Sequence, residues 1–150
     1  MYGFNMGAIR SVAIKEPLVD VVDRRQVVTS SGMLKEVDLY TATVEELSFR
    51  TPFSLRVKQD DYVQAFVAYF SVEFLKCHTK IGFSTCEFLI PGSIVSDLMV
   101  LCFAAPDCQY THWKHTVFYI DDAITVSQGA LLNGFFTCKP NTNNKVITDT

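Results

Sequence analysis

The residues of this sequence that could do chemistry are few, and most of them lie in one short segment. His112 and His115 form an H-x-x-H pair. His115 begins an alternating apolar run typical of a strand, where residues three apart point to opposite faces, so the two imidazoles are badly placed to share a metal ion. Cys77-His78 is a weaker signal, for which a core cysteine is the better interpretation. We therefore expect no metal site.

Other catalytic arrangements are missing as well. The adjacent carboxylates Glu45-Glu46 and Asp60-Asp61 diverge on a strand or are solvated in a turn, which disfavours acid–base catalysis. No G-x-S-x-G nucleophile elbow occurs. The seven glycines are not spaced as G-x-G-x-x-G or as a P-loop. The sequence thus encodes no glycine cradle for a nucleotide or a methyl donor.

The segment Tyr110-Thr111-His112-Trp113 leaves two interpretations open. A tryptophan beside a histidine, directly before a strand, is more often a packing element with a satisfied imidazole. The alternative is a functional role, which the residues alone do not specify. The residues alone favour packing.

Hydrophobic patterns predict the elements that would position this segment. Residues 49–57 alternate with period two, Phe49, Phe53 and Leu55 on one face and Arg50 and Arg56 on the other, which predicts a half-buried strand. Pro52 suggests an edge position or a bulge in it. Further strands are predicted at 18–22, 62–75, 115–120 and 135–138, turns at 58–61, 121–122 and 141–144, and a short helix within 6–15.

Composition supports one mainly β domain over residues 1–150. Hydrophobic residues make up 49% and aromatic residues 13% of the chain, which fits a folded globular domain. We expect an antiparallel β-barrel with a short N-terminal helix, incomplete because the chain stops just after 146–147, as if in a last hairpin. The net charge of -3 without a basic stripe argues against direct nucleic-acid binding.

The compartment follows from the cysteines and the N-terminus. None of the five cysteines forms a C-x-x-C pair, and charged residues interrupt the N-terminal region. We expect no signal peptide, reduced thiols, and a location in the cytoplasm, the nucleus or both.

Residues 86–104 have a different, strongly apolar texture. They are too short and too interrupted by Pro91, Gly92 and Asp97 to span a bilayer, which takes ~20 apolar residues. Two interpretations stay open: an extra buried strand or helix, or a poorly fitted insertion that exposes apolar surface.

Several stretches together resemble the C-terminal half of type I protein arginine methyltransferases. They follow the family's order and cover most of the chain: Tyr2-Gly3-Phe4-Asn5-Met6, residues 12–22, Lys35-Glu36-Val37-Asp38, Val67-Ala68-Tyr69-Phe70, Gly82-Phe83-Ser84-Thr85 and Tyr110-Thr111-His112-Trp113-Lys114. The segment 86–104 lies where that family has only a short link, so the resemblance implies an atypical insertion, from an alternative exon or a retained intron in the gene sequence.

The resemblance implies a fold and a site. In that family a β-barrel half follows a Rossmann-like half that binds S-adenosylmethionine, and a projecting arm makes a head-to-tail dimer. By position, His112 and Trp113 would line the arginine pocket, with Thr111 shaping their loop. Tyr2, Phe4 and Met6 would belong to the trailing end of the dimerisation arm. The cofactor motif and the double-glutamate loop lie outside this chain, so we expect no cofactor to bind it alone.

Three hypotheses about function remain open. The chain is the barrel of an enzyme that methylates arginine side chains in proteins, including histones, and is inactive by itself. Alternatively, it is a non-catalytic module that associates with full-length subunits or with substrates. In the third, an open barrel with unpaired edges aggregates and is not stably made.

Overall fold

The computed structural model describes residues 3, 5–74, 78, 81–85, 98–103, 113–141 and 148–149. A 3-10 helix, Met6–Ile9, runs into the short helix α1 (Arg10–Ala13), and two more 3-10 turns occur at Arg24–Gln26 and Glu45–Leu47. The strands are β1 (Leu18–Asp20), β2 (Gly32–Asp38), β3 (Phe49–Arg56), β4 (Asp61–Phe74), β5 (Ile81–Ser84), β6 (Leu98–Phe103), β7 (His115–Val126), β8 (Leu131–Pro140) and β9 (Thr148–Asp149).

Two antiparallel sheets contain these strands. The larger sheet has the order β1-β7-β4-β6-β2, with β5 paired to the end of β4, and the smaller has the order β3-β8-β9. The long strand β4 is shared along its length, because residues 61–68 pair with β7 and residues 71–74 pair with β5. The expected antiparallel, mainly β fold with a short N-terminal helix is confirmed, and the described strands do not close into a barrel.

The alternation predicted for residues 49–57 is confirmed. Leu55 and Val57 are almost fully buried, while Arg50, Ser54 and Arg56 are exposed. Pro52 lies in β3, the edge strand of the smaller sheet, as its missing N–H requires. Every second side chain of β3 therefore points between the sheets and contributes to the core.

The core lies between the two sheets. Leu34, Leu55, Ala68 and Phe136 form one buried cluster, and Val57, Val63 and Val126 form a second. Phe53 and Phe66 meet edge to face at 5.4 Å, which adds aromatic packing between β3 and β4.

The turn predicted at Asp121-Asp122 is wrong. Strand β7 runs through both residues to Val126. Opposite them the register shifts: Val63 faces Ile124 but Ala65 faces Tyr119, so Gln64 alone stands against residues 120–123. The two aspartates lie in this bulge, where extra residues leave the ladder and remain exposed. Arg10 of α1 reaches the same bulge and donates to the Asp121 carbonyl at 3.4 Å.

Part of the apolar segment 86–104 is a strand. β6 lies between β4 and β2, pairing Ala68 with Phe103 and Met33 with Cys102. Residues 98–103 thus form a strand, and the two interpretations of the apolar segment, which differ in burial, both stay predictions. The rest of 86–104 is outside the described residues, and its origin as an insertion stays a prediction. Residues 142–147, with most of the turn predicted at 141–144, are also outside. No helix among the described residues is long and apolar enough to cross a membrane.

Candidate functional site

Trp113 lies in the bend just before β7, with 51% of its surface exposed. For the chain's single tryptophan this is a high exposure, because indoles are among the most thoroughly buried side chains on average. It is also held in place rather than loosely attached, as its ring contacts show. An ordered and half-exposed indole is a candidate recognition surface.

Two phenylalanines hold the indole ring. Phe83 of β5 stacks on Trp113 with ring centroids 4.9 Å apart and planes 18° from parallel. Phe70 of β4 meets Trp113 edge to face at 6.4 Å. Phe70 and Phe83 also pack edge to face, at 6.0 Å. We call Phe70, Phe83 and Trp113 the aromatic cluster.

The pairing of β4 with β5 sets the geometry of the aromatic cluster. Val72 faces Phe83, and Ser71 faces Ser84 with their hydroxyl oxygens 2.6 Å apart. The next residue, Thr85, closes the ladder with Phe70: its N–H donates to the Phe70 carbonyl at 2.9 Å, and its Oγ1 accepts from the Phe70 N–H at 3.0 Å. Hydrogen bonds between β4 and the β5 segment therefore fix the backbone of Phe70 and Phe83 independently of Trp113.

His115, two residues after Trp113, is buried and bonded through both ring nitrogens. Nδ1 accepts a hydrogen bond from the Val22 N–H at 3.2 Å. Nε2 lies 3.0 Å from the Thr85 carbonyl oxygen. Because Nδ1 is an acceptor and the carbonyl cannot donate, the network assigns the proton to Nε2. His115 thus joins the start of β7 to two other segments.

The charges near the site are exposed. Lys114 Nζ lies 3.8 Å from the Asp20 carboxylate, a surface ion pair worth ~0–1 kcal/mol. Further along, Arg25 donates to the carboxylate of Asp23 and lowers the pKa of Asp23 from 3.8 to about 2. Asp23 caps the turn Arg24–Gln26 through a capping box. Neither interaction supplies a catalytic acid or base.

A cavity of about 390 Å³ lies elsewhere, between β1, β4, β7 and residues 26–29. Its lining combines apolar side chains such as Val63 and Val117 with polar ones such as Gln26 and Gln64, and Trp113 is not part of it. Among the residues described, no group of three or more His, Cys, Asp or Glu side chains could hold a metal ion.

The structure describes some of the predicted site residues and not others. Thr111 and His112 lie outside the described residues, as do Tyr2 and Phe4 of the predicted arm. Met6 begins the first 3-10 helix, but its side chain is not described. Their roles stay predictions.

Sequence reasoning missed three contributors to the site: Phe70, Phe83 and His115. In the sequence, Phe70 and Phe83 are distinguished only by lying in stretches that carry the family resemblance. His115 is distinguished only as part of the H-x-x-H pair. Nothing in one sequence shows that two phenylalanines on separate strands meet one tryptophan.

Comparisons with known proteins place these features in a family. Residues 1–89 and 95–150 match a family described as the arginine methyltransferase oligomerization subdomain. The match leaves out residues 90–94, inside the atypical segment.

Curated relatives match nearly the whole chain. Protein arginine N-methyltransferase 1 of Caenorhabditis elegans is 52% identical over 97% of this chain and 36% of its own length. Protein arginine N-methyltransferase 8-B of Danio rerio is 48% identical over 97% of this chain and 30% of its own. The chain therefore spans about a third of the length of the relatives it matches.

A solved structure has the same fold. It is the Trypanosoma brucei PRMT1 enzyme-prozyme heterotetrameric complex with AdoHcy, of which one chain superimposes with a TM-score of 0.78 at 26% identity. The similarity covers 97% of this chain and 40% of that one.

Proposed function

This chain belongs to the arginine methyltransferase oligomerization subdomain family, and on that premise we propose that it is the C-terminal barrel half of a type I protein arginine N-methyltransferase. In this role it supplies a surface for subunit assembly and one wall of the pocket for a substrate arginine. Transfer of the methyl group from S-adenosylmethionine requires the other half. The proposed partners are arginine-containing proteins, histones among them, and a second subunit of the same family.

The observation that carries the proposal is the half-exposed Trp113 stacked on Phe83. An indole ring attracts a guanidinium cation by ~0.5–2 kcal/mol, more when water is excluded. Stacking on Phe83 fixes the ring before a substrate arrives, which lowers the entropic cost of binding. In the proposed pocket Trp113 lines the guanidinium side, His112 anchors a carboxylate of the other half, and Thr111 shapes the loop.

We also propose that S-adenosylmethionine does not bind this chain alone. Among the described residues only Gly3 and Gly129 have positive φ, and each is isolated from other glycines. Gly82 and Gly134 lie inside strands, where a neighbouring backbone or ring fills the space above them. The described residues build no glycine cradle for the cofactor, and the proposal accordingly gives its binding to the other half.

Assembly is supported by the family's description and by the solved neighbour. The matched family is an oligomerization subdomain, and the solved neighbour is an enzyme-prozyme heterotetrameric complex. We extend this to the present chain as a proposal: residues 2–6 and the following helix act as the trailing end of the arm that docks on a partner subunit.

The activity is tested with the purified chain, radiolabelled S-adenosylmethionine and an arginine-rich histone peptide. We expect no methyl transfer, because the methyl donor and the acceptor are not held together. The full-length C. elegans relative, assayed in parallel, provides the positive control. Turnover by the chain alone would contradict the proposal.

Assembly is tested by co-expressing the tagged chain with the untagged full-length C. elegans relative. We expect the two to co-purify and to elute as one complex, and substitution of Tyr2 and Phe4 by Ala to weaken the complex. Substitution of Ile124 by Ala, an exposed apolar residue far along β7, serves as the matched control. A chain that stays monomeric and binds no relative would contradict the assembly role.

A second candidate function is a non-catalytic dimerisation or substrate-binding module. It differs from the first in that the chain would act without ever completing an active site. Trp113→Ala separates a substrate-binding role from assembly alone: loss of peptide binding with retained co-purification supports a role of Trp113 in binding the substrate arginine, while unchanged peptide binding favours assembly alone. We also propose a location in the cytoplasm, the nucleus or both, which imaging of the tagged chain tests.

A further inference from the structure

His115 is a buried polar side chain with a complete set of hydrogen bonds. Only three polar or charged side chains among the described residues are buried, and the ring of one of them, His115, bonds to the backbone carbonyl of another, Thr85. Buried polar groups persist when fully paired, because an unpaired one loses its interactions with water without replacement. The pairing of His115 with Thr85 is therefore a specific link between β7 and the end of β5.

We propose that His115 is a positioning residue that holds Trp113 against Phe70 and Phe83. The geometric part of this inference stands on the described contacts. Its consequence for arginine recognition rests on the proposed function.

The link acts through three chain segments. The His115 ring bonds to Thr85 on one side and to Val22 on the other, at 3.0 and 3.2 Å. Thr85 is in turn bonded to Phe70 through its N–H and its hydroxyl. Trp113 precedes His115 by two residues, and its stacking partner Phe83 precedes Thr85 by two. Fixing His115 on Thr85 thus fixes the distance between the two backbone segments that carry the stacked rings.

The chemistry of the side chain matches this task. One ring nitrogen must accept from an N–H and the other must donate to a carbonyl, which the neutral imidazole with the proton on Nε2 does. Glutamine also carries an acceptor and a donor at its end, whereas leucine has neither. Substitution by glutamine should therefore preserve the link in part, and substitution by leucine should abolish it.

Trp113 is the only tryptophan of the chain, so its fluorescence reports on this site alone. In His115→Leu we expect emission at longer wavelength and an increase of about twofold in iodide quenching, because the face covered by Phe83 becomes accessible. His115→Gln should restore most of the wild-type signal. Thr29→Val, which changes a buried polar residue outside the aromatic cluster, is the matched control and should leave the signal unchanged.

If His115 only stabilises the fold, its substitution should leave the fluorescence of Trp113 unchanged in a folded variant. If His115→Leu melts cooperatively and its Trp113 emission and quenching equal those of the wild type, the positioning role is overturned. The same follows if glutamine and leucine change the signal equally in folded variants.

The wild-type chain decides the matter if His115→Leu does not fold. Nitrogen-15 NMR of its three histidines should show one ring locked with the proton on Nε2 and Nδ1 unprotonated, in slow exchange with water. Three rings that all average between tautomers would overturn the inference. These measurements use the isolated chain without substrate or partner, so they separate from the proposed function: failed co-purification or peptide binding with a locked His115 would contradict that function alone.

Discussion

At the scale of single residues, Gly134 shows how one position without a side chain holds two strands together. Gly134 of β8 faces Phe53 of β3, and a Cβ added there would lie 2.5 Å from Phe53 Cζ. The ring cannot easily move aside, because it packs against Phe66 at 5.4 Å. The Phe53 ring thus occupies the space that a side chain at position 134 would need.

Gly134→Ala should therefore destabilise the chain, although alanine is the less flexible residue in the unfolded state. We expect a loss of about 1–3 kcal/mol in the free energy of unfolding, as for overpacked cores. Urea denaturation followed by circular dichroism measures it. Asn133→Ala, at the exposed neighbouring position, should stay within about 0.5 kcal/mol of the wild type. An alanine variant as stable as the parent would show that Phe53 has room to shift.

Asp23 gives a prediction about pH at the same scale. Hydrogen bonds from Arg25 lower the pKa of Asp23 from 3.8 to about 2 in the folded chain. A depressed folded pKa means that the ionised carboxylate stabilises the fold above about pH 3.8, and that this contribution disappears as the pH falls through about 2. Both side chains are exposed to solvent, so the effect on overall stability is small.

A carboxyl titration by carbon-13 NMR tests the cause of the shift. The Asp23 midpoint should be about 2 in the wild type and should return towards 3.8 in Arg25→Gln. Arg24→Gln, which changes the adjacent cation, should leave it low. If Arg25→Gln left the midpoint unchanged, the capping hydrogen bonds and not the guanidinium would be responsible.

At the scale of elements, β3 has one face that packs in the core and one face that is exposed to solvent. Leu55 is 1% exposed and packs between the sheets, while its neighbour Ser54 faces outward. Leu55→Ala should lower the free energy of unfolding by about 2–5 kcal/mol, through lost burial and the cavity left behind. Ser54→Ala should change it by less than about 0.5 kcal/mol. Chemical denaturation of both variants measures the contrast, and equal losses would mean that β3 does not face the core as described.

The strands that could be predicted are those whose pattern is local. The alternation at 49–57 and the apolar faces of 62–75 are properties of neighbouring residues, and they predict β3 and β4 closely. The pairing order is not local, since β6 pairs with both β4 and β2 although three strands separate β2 from β6 along the chain. Asp121-Asp122 was misread because adjacent acids resemble a turn, whereas a bulge needs the partner strand to be recognised.

The residues of the candidate site likewise fall into those that a local sequence pattern identifies and those that only strand pairing brings together. Trp113 could be identified from its residue type and from the stretch around it. Its partners Phe70 and Phe83 could not, because they reach it through the pairing of β4 and β5. The pairing of His115 with Val22 spans 93 residues and was equally invisible. The sequence pattern thus identifies the segment that contains Trp113, and the structure identifies the side chains that hold it in place.

At the scale of the whole molecule, the two sheets leave edges that the described residues do not cover. The larger sheet ends at β1 and at β2, and β1 carries the exposed Leu18 and Val19. An apolar strand at a sheet edge is a template for pairing with another chain. For a barrel half that spans about a third of its relatives, such an edge favours association with itself.

Charge on that edge should therefore reduce self-association. Val19 is 61% exposed and pairs with Thr116 of β7, so a lysine there would keep the ladder on one side and oppose a new strand on the other. We expect Val19→Lys to lower the mass-average size in concentration-dependent light scattering without changing the melting transition. Val44→Lys, at a residue that is 73% exposed just before the turn Glu45–Leu47, adds the same charge away from β1 and from the proposed arm and should have little effect. If both variants reduced association equally, net charge would be the cause; if neither did, β1 would not be the surface through which the chain associates.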